Sequence, residues 1–350
     1  MRLWLLLISV AISTQLCGQW EWSSRLGFVI AHRPVINGLN QAHAKTYNLS
    51  WQKKLVSEES WIQSYLGPTF MVQGGYTQFG SDVFGSAFHV TPSLALPLWR
   101  AKAPVSLILG TGLAWHPSFF NAVDNRKQVA IGSPINASIQ LGLQVALLSF
   151  RRHQLRAGLF FHHFSNGAFS APNLGLNVPS ISLSYAFLHP SNTDQNLPTS
   201  KRDKAAYRAQ WFAAGSLGLK ELMITGEKKY LLSTVRLGRS RTWSAKFAGV
   251  VFAEYMNHPA QRVLAQLDTL ASGSGQHQVG MGVGISNTYG RFAVFIHTAY
   301  YLINPYRNNG SMYNRLGIQY QVSKGFHIFT GIRSHLTTAD GLEWGGTIYF

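Results

Sequence analysis

Between Ile135 and Leu147 the chain alternates without a break. Ile135, Ala137, Ile139, Leu141, Leu143, Val145 and Leu147 share one parity, and Asn136, Ser138, Gln140, Gly142, Gln144 and Ala146 share the other. Side chains two residues apart lie on one face of a β-strand, so one face here is apolar and the other largely polar. Val105, Leu107, Leu109, Leu113 and Trp115 repeat the pattern, as do Val279, Met281, Val283 and Ile285 against Gly280, Gly282 and Gly284. No segment after the first few residues is apolar for the ~20 residues that a membrane helix needs. Composition decides what the apolar faces meet: 46% of the 350 residues are hydrophobic and 12% are charged, against about 25% charged in soluble domains. Lipid is the expected neighbour, and all-β segments of period two read as a transmembrane antiparallel β-barrel. A secreted β-sandwich is the alternative.

Alternating segments separated by Gly, Pro, Asn and Ser clusters number about eight from Leu26 to Leu188 and about eight from Ala209 to Phe350. An even number brings both chain ends to one side, and it gathers the longer connections, 116–134, 165–176, 257–276 and 304–313, on the other. One barrel of about sixteen strands is the expected closure; an eight-stranded barrel followed by a second β unit is the alternative. The chain divides into residues 1–18, a barrel half over 19–188, a polar connection over 189–206 and a second half over 207–350. No internal repeat stands out.

Arg2 followed by the apolar run Leu3 to Ile12 reads as a secretory signal peptide, cleaved on export. Gln15 and Leu16 are not the small residues that a lipoprotein signal places before its cysteine, and Cys17, the single cysteine, leaves with the peptide. The exported chain then has no disulfide framework and no thiolate nucleophile. A terminal aromatic, Phe350, on a final alternating strand fits the outer membrane of Gram-negative bacteria. The 30 Lys and Arg against 13 Asp and Glu give +17. Nucleic acid is the usual partner of such a charge, but an exported barrel does not meet it. Basic residues either hold an anionic lipid headgroup or, like Arg151, Arg152, Arg156 and Lys246, line a hydrated lumen.

One place carries chemistry. His163 and Ser165 share the parity of Leu155, Leu159 and Phe161, so a histidine and a serine sit together at the end of an apolar stripe. A serine needs a neighbouring base to become a nucleophile, and histidine is the usual one. A pair facing lipid suits an enzyme whose substrate is a membrane lipid. Asn177 shares the parity of Ile181, Leu183, Tyr185 and Phe187 on the next strand, which brings it beside the pair. Among other motifs there is no HExxH, P-loop or GxSxG, so no metal and no cofactor are expected. The remaining histidines, His32 included, read as interfacial or lumenal side chains.

From His163 to Asn177 the chain resembles the lipid A 3-O-deacylase (PagL-like acyloxyacyl hydrolase) family through His163, Ser165, Asn166, Pro172, Asn173 and Gly175. The resemblance implies a carboxylic ester hydrolase that removes an acyl chain from lipid A, the anchor of lipopolysaccharide. It also implies Ser165 as nucleophile, His163 as general base, and Asn166 and Asn173 as oxyanion donors. Asn177 stands where the family has a glutamate that orients the histidine. Replacing the acid of a triad by its amide can cost about 10⁴ in turnover, yet asparagine orients the histidine of Cys-His-Asn sites. Asp124, Asp340 and Glu343 are the carboxylates considered as substitutes. The competing function is a non-catalytic porin or transport barrel, in which sixteen strands leave an aqueous lumen.

Overall fold

A computed structural model describes residues 18–99, 105–188, 208–222, 228–268, 275–306, 310–335 and 338–350. Residues 1–17 of the expected signal peptide and the expected connection over 189–206 lie outside these residues.

Sixteen strands form among the described residues. The first eight are β1 (Gln19–Gly27), β2 (Ala44–Lys54), β3 (Thr69–Gln78), β4 (Ser86–Pro97), β5 (Ser106–Trp115), β6 (Ile135–Phe150), β7 (His153–Ser165) and β8 (Leu176–Phe187). The other eight are β9 (Ala209–Lys220), β10 (Tyr230–Thr242), β11 (Phe247–Asn257), β12 (His277–Tyr289), β13 (Phe292–Ile303), β14 (Met312–Ser323), β15 (Phe326–His335) and β16 (Thr338–Tyr349). Among the described residues three short helices sit in connections: α1 (Pro34–Asn37), α2 (Ser60–Ser64) and α3 (Pro259–Leu267).

The strands close twice, not once. β1 pairs antiparallel with β8 through Trp20↔Phe187, and β9 pairs with β16 through Phe212↔Tyr349, giving two closed eight-stranded barrels. The expected single barrel of about sixteen strands is thereby corrected to the eight-plus-second-unit arrangement. Alternation fixes which face a residue takes; it does not fix which strand closes the ring, because any even count returns the chain to the same side.

Burial is inverted relative to a water-soluble protein. Along β6 Leu141 and Leu143 are 49% and 43% exposed while Ser138 and Gln140 are buried, the apolar-out, polar-in arrangement of a barrel wall in lipid. Trp20, Trp22, Tyr185, Phe187, Phe150 and Trp211 stand exposed on the outside near one end, an interfacial girdle. The opposite end carries the long connections and is called here the loop end.

Among the described residues both interiors are filled. In the first barrel Arg25 bonds Gln140 and Gln73 and lies over the Phe160 ring, Arg156 pairs with Glu21, and an apolar cluster including Val29, Ile36, Phe79, Ile131, Phe164 and Leu176 plugs the loop end. In the second, Arg315 bridges Glu254 and Glu343, and Phe252, Phe295 and Phe329 form part of a buried apolar cluster. Of the basic residues expected in a lumen, only Arg156 is there. Arg151 and Arg152 are exposed at the β6–β7 turn, and Lys246 lies by the Tyr65 ring at the β10–β11 turn.

The barrels stand side by side in the same orientation. At the loop end Arg33 donates to Thr338. At the turn end the Tyr65 ring stacks on Tyr289 at 4.9 Å and its hydroxyl donates to Asn287. Tyr65, Leu96 and Tyr289 form a buried cluster there with Leu94, Leu107 and Leu109 packed around it, so the turn-end parts of the outer faces of β4 and β5 meet the second barrel, while Phe88, Val90, Leu113 and Trp115 on the same faces stay exposed.

Candidate active site

His163 and Ser165 occupy the last three residues of β7 at the loop end and face outward, in the row of the exposed Leu159 and Phe161, while Phe160, His162 and Phe164 turn inward and are buried. Register does the rest. His163 is the direct cross-strand partner of Asn177 on β8, and directly opposed residues on one face have their Cβ atoms about 5 Å apart. Fourteen residues of chain separate them, yet the pairing alone sets them side by side.

The three polar groups form one chain. Asn177 Oδ1 lies 2.7 Å from His163 Nδ1, and His163 Nε2 lies 3.0 Å from Ser165 Oγ. An amide oxygen only accepts, so Nδ1 carries the imidazole proton and Nε2 is left with a lone pair to accept from the serine hydroxyl. That is the tautomer a general base needs toward its nucleophile. Gly175 makes the approach possible: it has φ +77°, and a Cβ there would stand 2.9 Å from His163 Cε1.

The asparagines are placed differently from each other. Asn166 Nδ2 donates to Ser133 Oγ at 3.0 Å and to Ser170 O at 2.8 Å, so its side chain fastens the β7–β8 loop. The Asn166 backbone N–H points to Asn173 Oδ1 at 3.0 Å, beside the serine. Leu174 N–H and Gly175 N–H donate to Val129 O and Ala130 O, tying the loop to the β5–β6 connection.

None of the three carboxylates expected as candidate partners of the histidine, Asp124, Asp340 and Glu343, reaches His163. Asp124 is exposed on the β5–β6 connection. Asp340 pairs with Lys220 and Arg333, and Glu343 with Arg315, all inside the second barrel. The group that does stand behind Asn177 is His32. Segment 28–30 continues along β8 beyond β1, with Ile30 N–H donating to Asn177 O at 2.8 Å, and this carries His32 to the site. His32 Nε2 lies 3.0 Å from Leu174 O and Nδ1 lies 3.5 Å from Asn177 Nδ2, with Ile30 O also 3.2 Å from Nδ1. Read from sequence as an interfacial side chain, His32 belongs to the site. No periodic signal links a loop residue to a strand end 131 positions later; only the β1–β8 closure does.

Two family models match the chain: lipid A 3-O-deacylase (PagL) over residues 45–186 and the acyloxyacyl hydrolase C-terminal domain over residues 209–350. Among solved structures, the outer membrane enzyme PagL aligns at 17% identity over 48% of this chain and 99% of its own, with a TM-score of 0.33. A mutant Rh. blastica porin aligns at 11% identity over 95% and 99%, TM-score 0.18. The Acinetobacter baumannii outer membrane protein Omp33 aligns at 9% over 96% and 100%, TM-score 0.19. No curated protein matches the chain.

Proposed function

The chain belongs to the lipid A 3-O-deacylase (PagL) and acyloxyacyl hydrolase family, and from that premise we propose that it is an outer-membrane ester hydrolase that releases one ester-linked acyl chain from lipid A. The observation that carries this reading is the unbroken Ser165–His163–Asn177 chain on the lipid face at the loop end. An acyl ester of a membrane lipid lies at that depth and on that side of the wall, where a water-soluble substrate has no path. In this reading the loop end faces the cell exterior, and residues 1–18 are removed on export.

Ser165 Oγ attacks the ester carbonyl while His163 Nε2 takes its proton. Asn177 holds the imidazole in the right tautomer without supplying a negative charge, so the imidazolium that forms is less stabilised than beside a carboxylate. The carbonyl oxygen becomes anionic at the Asn166–Asn173 side. The Asn166 N–H, which rests on a neutral amide, then gains a charged acceptor, and charge-assisted bonds are roughly twice as strong. Collapse expels the sugar hydroxylate, which takes the proton back from His163. Water, deprotonated by the same histidine, then releases the fatty acid.

A solute channel requires a lumen, and the premise for one, sixteen strands in a single ring, does not hold. Eight-stranded interiors are just wide enough to be filled by side chains, and both are filled here. The test is mass spectrometry of lipid A from Gram-negative cells expressing the wild-type chain, Ser165→Ala or His163→Ala. Loss of one acyl chain with wild type alone is expected, the variants falling by about 10⁴-fold or more. Unchanged lipid A in cells that carry the folded wild-type barrel at their surface would sink the proposal.

A further inference from the structure

The loop between β7 and β8 is held from two sides, and one of them is the other barrel. Gly167 and Ala168 take consecutive left-handed conformations, φ +65° and +67°, which an alanine rarely adopts without external restraint. The restraints come from beyond β8. Glu221, just after β9, donates its backbone N–H to Ala168 O at 3.3 Å, and its carboxylate Oε2 accepts the Ala171 N–H at 2.8 Å. Glu221 is only 7% exposed, so both bonds are sheltered from water. A Cβ on Gly167 would stand 3.3 Å from Leu342 Cβ and 3.4 Å from Ile332 Cδ1, and the Lys229 ammonium sits 3.5 Å from the Phe169 ring centroid. Ile332 and Leu342 are half-buried, whereas Ile328 and Trp344 in the same outward rows are 46% and 45% exposed. The loop therefore lies on the second barrel's wall where lipid would otherwise be.

We infer that Glu221 is a positioning residue: through it the second barrel holds the β7–β8 loop in the shape that presents Asn166 and Asn173 to the ester, so the first barrel is not a complete enzyme without the second. This inference rests on the hydrolase reading above. The carboxylate ties Ala171, two residues before Asn173, and the backbone ties Ala168, two residues after Asn166. Loss of the carboxylate frees the segment between the two asparagines without touching Ser165, His163 or Asn177.

The experiment uses the full chain in detergent micelles as wild type, Glu221→Ala, Glu221→Gln and Ser165→Ala. Amide hydrogen exchange over residues 166–175 is measured together with kcat and KM on a p-nitrophenyl acyl ester. In Glu221→Ala the loop amides should exchange about tenfold faster, β7 and β8 should stay protected, and kcat should fall about tenfold or more with KM little changed, as loss of a buried bond to a charged acceptor implies. Glu221→Gln keeps an acceptor for Ala171 N–H and should restore protection and most of kcat. Unaltered loop exchange in Glu221→Ala overturns the inference, and so does a loosened loop with undiminished kcat. Slower turnover accompanied by exposed strands and no rescue by glutamine also overturns it, because the residue would then serve only folding. Faster loop exchange in Glu221→Ala, in a chain whose wild type hydrolyses nothing, would instead bring down the hydrolase reading and leave the clamp standing.

Discussion

The two barrels share strand number, pairing order and orientation, yet they differ at the same place and in the same layer. At the loop end of its seventh strand the first barrel has His163 and Ser165 facing outward, followed by a ten-residue connection that carries Asn166 and Asn173. The second has Ile332 and Ser334 outward and enters β16 after only residues 336 and 337. A serine remains there, but neither the base two residues before it nor the loop is present. The interiors differ as much. The first is built mainly from neutral hydrogen bonds, such as Thr91–Ser138, Ser138–His162, Gln140–Ser93 and Asn48–Ser23. The second is ionic: Arg315 with Glu254 and Glu343, Arg333 and Lys220 with Asp340. In the proposed reading one barrel offers the chemistry and the other the firm surface on which the β7–β8 loop rests.

That contrast is most easily broken in the second interior. Arg315 has no exposed side-chain surface and spans two carboxylates, at 2.9 Å to Glu343 and 3.1 Å to Glu254. Arg315→Ala leaves both acids buried and poorly paired, a loss of about 3–5 kcal/mol. Gln140→Ala in the first interior removes a neutral partner of Ser93 and one of two amide acceptors of Arg25, costing about 1–2 kcal/mol. Denaturant unfolding of the full chain in micelles, followed by exchange protection in each barrel separately, checks the ratio. Equal losses for the two substitutions would mean that the charges in the second barrel are no more important than the amides in the first.

Much of this division was legible in the residues. Period-two alternation located the strands, their faces and the outward pairing of His163 with Ser165, because strand parity is a local property. Asn177 could be placed beside them because the parity of β8 was equally plain. What parity does not carry is closure. Sixteen alternating segments describe one ring or two equally well, and the choice is made by the pairings Trp20↔Phe187 and Phe212↔Tyr349, contacts between distant segments that leave no periodic trace. His32 and Glu221 were missed for the same reason: each reaches the site from a connection, one across the β1–β8 closure and one across the seam.

The sharpest chemical contrast is within the site itself, between the amide of Asn177 and a carboxylate put in its place. Asn177→Glu would bring a negative charge to the side of His163 where the amide oxygen of Asn177 now lies 2.7 Å from the proton-bearing nitrogen, stabilising the imidazolium that the proposed mechanism forms as Ser165 is deprotonated. A tenfold rise in kcat corresponds to about 1.4 kcal/mol, a modest share of what a triad acid contributes, and a rise of at least that size is expected. Asn177→Ala should fall well below wild type. Single-turnover hydrolysis with the three side chains decides it. If glutamate were no faster than asparagine, charge at this position would not limit the reaction.

The smallest effect concerns His32, and it discriminates best. An amide has two unlike ends, and only one orientation presents oxygen to His163. In the tautomer that donates from Nε2 to Leu174 O, the shorter of its two carbonyl contacts, His32 turns an unprotonated Nδ1 toward Asn177 Nδ2 and so favours that orientation. His32→Ala should lower kcat about fivefold at unchanged KM, within the ~0.5–1.5 kcal/mol of one neutral hydrogen bond. A carboxylate has two equivalent oxygens and needs no such guidance, so in the Asn177→Glu background the same His32→Ala change should cost little. The double-mutant cycle isolates this coupling. An equal penalty in both backgrounds would show that His32 acts by packing segment 28–32 against β8 and not by orienting the amide.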